Sequence, residues 1–346
     1  MQKKLIALAV AGLMSAPAFA QSNVTVYGLF DIGLAHYSDS ATSGKANRTA
    51  IDQGFLNSSR LGFKGVEDLG NGLKASFLYE FNVGTDNGGD VGGGRQTVLA
   101  LSGNFGTLAL GRMYTPQFNL YSEVDPFGAF SVGGVNNLSR VQTRLDNVVA
   151  YVTPSFSGFN VTAAYTMQAG GTTAGVNEVD NDNGTRVWAI SPAYKNGPLY
   201  VGLNYHVATV KATGVSDFEA QRRMDIGASY DFGVVKLSGT YGRDRADNPT
   251  ILGAQPFGEA NYWMVGLSAP VGVGKAMASY NSYKDKDSGD KGEADMWAVG
   301  YEHPLSKRTK VYAIYSSIDN DNGAAKYVAS TGDYQKGLQV AIQHRF

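Results

Sequence analysis

The residue types that most often carry catalysis are present but are not grouped. The four histidines lie on separate predicted strands or turns, and none has a serine or an acidic residue at a recurring spacing that would pair a nucleophile with a base. The absence of cysteine excludes thiolate metal ligands, cysteine nucleophiles and disulfides. We therefore expect no enzyme, no metal and no cofactor. The histidines are His36, His206, His303 and His344.

Three short motifs match ligand-binding loops only in part. Residues 180–184 and 319–323 both read Asp-Asn-Asp-Asn-Gly, but neither has the Ca²⁺-loop register, and the twelfth position is Ser191 or Ser330 where a Glu is needed. The Gly-Val-Gly-Lys run at 272–275 lacks the upstream Gly and the following Ser or Thr of a phosphate loop. We interpret the first two as hydrated loop tips and the third as a turn.

The remaining charged residues suggest a different role, in which their side chains line a water-filled passage. Residues 115–143 form the longest stretch without strand alternation, and they contain Glu123, Asp125 and an Asp-Pro-Phe-Gly sequence. A loop of this length in a compact protein is usually functional, although an ordinary surface loop is the alternative. Alternation places Arg60 and Lys64 on the side opposite their apolar neighbours, and therefore toward water. The same parity turns Lys74 and Glu80 inward.

The elements that would position these groups are β-strands. Strict alternation of apolar and polar residues recurs over about ten residues at a time, for example from Gly72 to Val83, and helical periodicity is almost absent. Sixteen such segments can be counted. Seven of the connections between them are short turns, and they alternate with eight longer loops rich in Gly, Asn, Asp, Ser and Thr. This pattern is typical of an up-and-down transmembrane barrel with apolar residues outside and polar residues lining a wide, water-filled interior.

A soluble, secreted β-sandwich or an adhesin is the alternative for such a strand-rich chain. Strands of ten or eleven residues suit a tilted membrane crossing and exceed the usual ~5–6 of soluble sheets. Aromatic residues also lie mostly toward the segment ends, where the two membrane interfaces would be. Both features favour the barrel. A charge balance of 29 basic against 30 acidic residues further argues against a nucleic-acid partner.

The first twenty residues predict a secretory signal peptide. Lys3 and Lys4 are followed by an apolar stretch from 5 to 14 and by an Ala-x-Ala cleavage site at 18–20. A membrane anchor is disfavoured because Ser15 and Pro17 interrupt the run, which needs ~20 apolar residues to span a bilayer. The expected organisation is a signal peptide at 1–20 and a barrel domain at 21–346.

Several blocks of the chain resemble, in order, the trimeric general porins of Gram-negative outer membranes, in particular the beta-proteobacterial branch. The blocks are VTVYGLFDIGL, SSRLGFKGVEDLGNGLKASFLYEF, LSGNFGTLALGRMYTP, RLDNVVAYVTPSFSGFNV, NGPLYVGLNY, YEHPLSKRTKVYAIYSSIDN and the terminal IQHRF. This resemblance implies a sixteen-stranded antiparallel barrel in outer-membrane lipid, assembled as a homotrimer, with passive diffusion of ions and small hydrophilic solutes. It also implies that the terminal Phe346 is read by the outer-membrane assembly machinery.

The resemblance also assigns a pore constriction. It makes 115–143 the third external loop, folded into the barrel, with Glu123 and Asp125 facing a basic cluster on the wall. The basic residues are Arg60 and Lys64, Lys74 on the next strand and Arg95 at the start of the strand after it, with Glu80 also inward on this wall. Arg144 matches an Arg-x-Asp-Asn motif, and Arg140 is nearby. Such opposed charges orient polar solutes and set ion preference, here weakly toward anions. The alternatives are an outer-membrane barrel enzyme with catalytic groups at its rim, and a secreted structural protein.

Overall fold

The alternating segments fold into an antiparallel barrel whose first and last strands pair with each other. In this computed structural model the described residues are 24–40, 47–88, 91–128, 130–139, 141–166, 169, 185–210, 219–246, 258–286, 292–320 and 334–346. The signal peptide predicted at 1–20 lies outside them.

β1 pairs with β17 from Leu29↔Arg345 to Ser40↔Tyr334, which closes the barrel. The strands are β1 (Thr25–Ser40), β2 (Arg48–Gln53), β3 (Arg60–Gly70), β4 (Leu73–Asn82), β5 (Gly92–Gly103), β6 (Gly106–Tyr114), β7 (Arg144–Val152), β8 (Phe159–Thr166), β9 (Thr185–Asn196), β10 (Leu199–Val210), β11 (Glu219–Asp231), β12 (Lys236–Ala246), β13 (Gly258–Val271), β14 (Gly274–Asp285), β15 (Glu293–Pro304), β16 (Thr309–Asn320) and β17 (Tyr334–Arg345).

These seventeen segments occupy sixteen positions around the barrel. β2 and β3 lie end to end along the same edge of β1: β2 pairs with residues 32–37 of β1, and β3 with residues 25–29. The six residues between them leave the wall and turn inward, where the backbone N–H of Asn57 donates to the buried carboxylate of Asp31 (3.1 Å). The predicted sixteen-stranded barrel is therefore confirmed, with its second strand interrupted.

The outer surface of the barrel is apolar, as alternation predicts. On β11, Met224, Ile226 and Tyr230 are each more than 40 % exposed, while Arg223 and Asp225, at the alternate positions, are buried inside the barrel. The same outward exposure holds for Phe77 and Tyr79 on β4. A continuous apolar surface of this extent is stable only against lipid. The wall of the barrel therefore matches a membrane environment.

The connections differ strongly between the two ends of the barrel. All seven predicted short turns are found at one end, together with the start of β1 and the end of β17. In barrels of this kind the short turns lie on the periplasmic side. Among the described residues no helix is long and apolar enough to cross a membrane.

The long connection between β6 and β7 lies inside the barrel and carries two short helices. They are α1 (Pro116–Val124) and α2 (Asn136–Ser139). Leu120, Val124 and Leu138 are buried against inward-facing apolar residues of the wall, including Tyr262 and Met296. A hydrophilic lining therefore applies only to the part of the wall that the loop leaves in water. Alternation along the strands did not predict this inward-facing apolar patch, because the residues that cover it belong to the loop and not to a neighbouring strand.

The closure seam of the barrel depends on one small residue. A Cβ on Gly33 would lie 2.1 Å from the carbonyl oxygen of Val340 and 2.4 Å from Cβ of Ala341, its partner on β17. We predict that Gly33→Ala lowers the free energy of unfolding by about 1–3 kcal/mol, because backbone at the seam must move. Urea-induced unfolding in detergent or lipid, followed by tryptophan fluorescence, measures this change.

Gly239→Ala is the matched control for the seam. Gly239 lies in the middle of β12, and its nearest neighbour to an added Cβ is the carbonyl oxygen of Met264 at 3.4 Å. We expect Gly239→Ala to change the free energy of unfolding little. Equal stability of the two variants would show that the seam tolerates the extra carbon.

Candidate functional site

Local sequence begins helix α1 at the point where the chain turns into the barrel. The Thr115 side chain accepts a hydrogen bond from the backbone N–H of Phe118 (3.0 Å), and Pro116 follows at the first helical position. This is a standard helix start, since a Thr cap satisfies a free N–H and Pro needs none. The helix is therefore encoded locally, and its position inside the barrel is set by what it contacts.

A buried carboxylate on the wall holds the loop in place. Asp225 of β11 is fully buried and accepts hydrogen bonds from Gln117 (3.2 Å) and Tyr121 (3.0 Å) of α1. From the wall it accepts bonds from Tyr262 (2.5 Å) and Asn204 (2.9 Å), and Arg223 Nε lies 3.2 Å away. Arg223 in turn donates through Nη2 to the carbonyl oxygen of Ser139 at the end of α2 (2.6 Å). Both helices are thus joined to β11 by one charged network.

The tip of the loop is organised by a second carboxylate. Asp125 accepts the backbone N–H groups of Phe127 and Val135, each at 2.9 Å, and thereby ties the two ends of the tip together. Burial raises the pKa of Asp125 to about 6. Phe127 is fully buried and packs against Ala298 and Ile314 of the wall. The acid is therefore used to shape the loop.

A basic cluster forms on the wall around Glu80. This carboxylate of β4 is 4 % exposed and accepts hydrogen bonds from Tyr27 (2.8 Å) and Gln96 (3.0 Å). Arg60 Nε lies 3.4 Å from one of its oxygens, and Arg95 Nε lies 3.6 Å from the other. Glu80 offsets the repulsion between the two guanidinium groups and holds them side by side.

Arg95 points into the barrel because of a β-bulge. The pairing of β4 with β5 runs from Glu80↔Gln96 to Phe81↔Gly94 and so omits Arg95. An extra residue of this kind redirects its side chain. The Arg95 guanidinium then donates to Asn82 Oδ1 (3.0 Å) and Tyr114 Oη (2.8 Å). Simple alternation from the outward Leu99 would have placed Arg95 outside.

The basic cluster opens onto a cleft of about 250 Å³ between the wall and the loop. Lys275, Glu302 and Lys310 of β14 to β16 complete the wall side, and Glu302 lies 3.6 Å from Lys275 and 3.1 Å from Lys310. The loop side carries no charged lining residue among those described. Its side chains are Phe118, Ser122, Pro126 and Phe130. We call this the basic cleft: Arg60, Arg95, Lys275, Lys310 and Glu302, facing the loop.

A closed, lipid-facing barrel with an in-folded loop and a charged cleft can now be compared with known proteins. The family model described as Gram-negative porin matches residues 7–323. The chain belongs to this porin family. An outer membrane porin of Delftia acidovorans is 34 % identical over the full length of both chains, and one of Bordetella pertussis is 33 % identical, also over full length. The chain is therefore an outer membrane porin, a passive diffusion channel for small hydrophilic solutes.

Solved structures agree with this membership. The anion-selective porin from Comamonas acidovorans superposes with a TM-score of 0.78 at 30 % identity, covering 94 % of this chain and 100 % of that one. OmpT of Vibrio cholerae superposes with a TM-score of 0.69 at 18 % identity, which shows a shared fold. Family and fold identify a channel.

The structure brings together only part of the predicted constriction of this porin. Arg60 and Arg95 line the basic cleft, and Glu80 lies behind them. Arg144 adjoins the cluster, with its guanidinium 5.0 Å from the ring centre of Tyr114. Arg140 lies outside the described residues.

The other predicted residues lie elsewhere. Lys64 lies nearer the short-turn end, with Nζ 5.1 Å from the Tyr27 ring centre, and Lys74 is exposed beside the turn that begins β4. Glu123 faces away from the arginines and pairs with Lys195 (2.8 Å) on β9. With Asp125 bound to backbone N–H groups, neither loop acid faces the basic cluster across the cleft. The predicted opposition of charges is thus not made by these two residues.

The terminal residue is built into the barrel rim of the porin. The backbone groups of Phe346 pair with those of Gly28 in both directions at 3.1 Å, and its ring contacts Phe30 edge to face at 5.3 Å. The ring lies where a Cβ on Gly28 would be, with its Cζ 2.2 Å from that position. Its reading by the assembly machinery stays a prediction.

Sequence reasoning missed Tyr114, Lys275, Glu302 and Lys310. The three charged residues lie within two positions of the ends of β14, β15 and β16 that adjoin short turns, where a charge is usually an exposed rim residue. The available signal was their parity, on their own strands, with the inward residues Met277, Ala298 and Tyr312. It could not show that they face the same cleft as Arg60, because β14 to β16 meet β3 only through barrel closure.

The charged network predicts the cost of releasing the loop. Asp225→Ala removes the nearer carboxylate of buried Arg223 and leaves it only that of Asp244, 3.9 Å away, and we expect the free energy of unfolding to fall by about 3–5 kcal/mol. We also expect residues 115–143 to become sensitive to limited proteolysis in the folded barrel. Unfolding titrations and mass spectrometry of the protease fragments measure the two effects.

Asp231→Ala is the control on the same strand. Asp231 is exposed at the short-turn end, where it accepts one backbone N–H from Gly233 (2.8 Å). We expect Asp231→Ala to lower the free energy of unfolding by less than about 1 kcal/mol. A protected loop in the Asp225 variant would mean that apolar packing alone retains it.

Proposed function

We propose that this porin prefers anions and that the basic cleft sets the preference. One observation supports the proposal. Four cationic side chains and one carboxylate line the cleft, while both acids of the facing loop are bound elsewhere, one to Lys195 and one to backbone N–H groups. Even with Glu80 included, cations outnumber carboxylates. An anion in the cleft therefore meets an attractive potential, and a cation a repulsive one.

The geometry of the cleft strengthens this effect. Its walls are protein of low dielectric constant, which focuses field lines into the water between them. The loop side offers no carboxylate among the described residues to attract cations. The similar porin from Comamonas acidovorans is described as anion-selective, at 30 % identity and a TM-score of 0.78, which supports the same property here.

Neutralising single cations of the cleft tests the proposal. We expect Lys310→Gln and Arg60→Gln each to lower the chloride-to-potassium permeability ratio by about sevenfold. Unit charges ~7 Å apart in water interact by roughly 0.6 kcal/mol. Because this energy has opposite signs for chloride and for potassium, losing one cation changes their ratio by roughly 1.2 kcal/mol, which corresponds to that factor. The measurement is the reversal potential across a planar bilayer in a salt gradient at low ionic strength, where screening is weak.

Lys74→Gln is the matched control, because it removes one positive charge from the rim outside the basic cleft. We expect its reversal potential to equal that of the unaltered porin. A preference for potassium in the unaltered porin, or equal shifts in all three variants, would refute the role of the cleft.

We also propose that the porin is a homotrimer. The fold-related OmpT of Vibrio cholerae has a structure described as a trimer form, which supports this arrangement. Each barrel has its own cleft, so three independent channels should insert together. We expect conductance to appear in steps of three equal sublevels, and light scattering in detergent to give about three times the monomer mass. A single sublevel with a monomer mass would refute the trimer.

A further inference from the structure

A second cavity, largely apolar, lies inside the barrel beside α1. It has a volume of about 290 Å³ and is roofed by Thr115, Pro116 and Asn119 at the start of the helix. Small and branched side chains of β5 to β9 form its wall. They include Val98, Ala109, Val148, Ala150, Ala164 and Ala189. This cavity is separate from the tip of the loop, whose Phe127 is packed against other strands.

An apolar wall is unusual for a water-filled passage. Water against such a surface is unfavourable by roughly 25 cal/mol for each Å² of apolar area, so an apolar solute that displaces it gains free energy. The cavity is also large enough to hold one. An apolar cavity of ~150 Å³ accepts a benzene ring. The space therefore fits one aromatic ring with a small substituent.

Polar groups at the edge of the cavity indicate which substituent. Tyr114 lines both this cavity and the basic cleft, so the two spaces share a wall. The Arg144 guanidinium lies over the Tyr114 ring at 5.0 Å, and its Nε and Nη2 have no hydrogen-bond partner among the described residues. No carboxylate in the described part of the chain pairs with Arg144. A positive charge without a carboxylate partner among the described residues thus lies against the ring of Tyr114, the residue that lines both spaces.

A buried amide that lines the cavity also has one atom without a hydrogen-bond partner in the described part of the chain. Asn204 lines the cavity and is fully buried, and its Nδ2 donates to Asp225 (2.9 Å). That bond fixes the orientation of the amide, and Oδ1 has no partner among the described residues. Buried polar atoms are usually satisfied. Because Oδ1 can only accept a hydrogen bond, it offers nothing to a carboxylate, and an anionic group in the cavity has to lie away from Asn204, on the side of Arg144.

We propose that this cavity is a binding subsite for small amphipathic anions, namely monocarboxylates with one aromatic ring. The ring occupies the space between α1 and β5 to β9, and the carboxylate lies toward Arg144 and the basic cleft. The proposal rests on the anion preference proposed above and adds a solute class to it. It predicts that benzoate dwells in the channel longer than acetate, which carries the same charge without the ring.

Current-noise analysis of single channels with added benzoate or acetate tests the subsite. We expect the half-blocking concentration of benzoate to be at least about tenfold below that of acetate, a difference of about 1.4 kcal/mol. Ala150→Leu fills the cavity and should bring benzoate to the level of acetate. Equal blocking by the two anions in the unaltered porin, or tenfold stronger blocking that persists in the filled variant, would overturn the proposal.

A second variant keeps the test valid if Ala150→Leu does not fold. Val98→Thr preserves volume but adds a hydroxyl to the apolar wall, and we expect weaker blocking by benzoate with unchanged chloride conductance. Val273→Thr, in an exposed short turn, is the matched control and should behave as the unaltered porin. Equal benzoate blocking in the Val98 and Val273 variants would also overturn the subsite.

The reversal potential in potassium chloride separates this subsite from the proposed function. If the channel prefers anions but benzoate and acetate block it at equal concentrations, the subsite is refuted and the proposed function is not. A channel without anion preference that still retains benzoate over acetate refutes the role of the basic cleft and supports the cavity.

Discussion

The pairing of backbone hydrogen bonds in lipid is the constraint on which this structure depends. At bilayer depth no water is available to unpaired N–H and C=O groups, so a sheet must close on itself. Here β1 and β17 meet along eleven paired positions, and their close approach requires Gly33. Closure at sixteen positions leaves an interior too wide for side chains to fill. The long connection between β6 and β7 occupies that interior, and all the functional geometry follows from where it lies.

The loop between β6 and β7 is held in place by acidic residues, and these residues are therefore not available to attract cations in the passage. Asp225 is buried beneath α1 with Arg223, Asp125 is bound to backbone N–H groups, and Glu123 pairs with Lys195. Carboxylates that could attract cations in the passage are thereby engaged in structure. Arg60, Arg95, Lys275 and Lys310 remain at the cleft with Glu302. A basic passage thus arises in a chain whose formal net charge is only −1.

The interior also divides between apolar and polar regions. Where the loop packs, inward residues such as Tyr262 and Met296 are apolar and buried. Around the basic cleft the lining is charged, and beside α1 an apolar surface remains open to solute. The porin interior is therefore not a uniform aqueous pore. Its chemistry changes across a few strands, with Tyr114 at the boundary between the basic cleft and the apolar cavity.

The amino-acid sequence by itself determined the strands, their inward and outward faces and the alternation of short and long connections. These are properties of neighbouring residues: side chains alternate along a strand, and turns need Gly, Asn or Asp locally. Thus Arg60 and Glu80 were correctly assigned to the inner face of the wall. The start of α1 at Thr115 and Pro116 has the same local origin.

Only the tertiary structure decided which charges meet. The bulge at Arg95 depends on the register of β4 against β5, and alternation counts residues along one strand only. The pairing of Glu123 with Lys195 and the convergence of Lys310 with Arg60 join positions far apart in the chain. Such contacts arise from barrel closure and from the path of the loop across the interior. They are long-range outcomes of packing, and no pattern within a single segment encodes them.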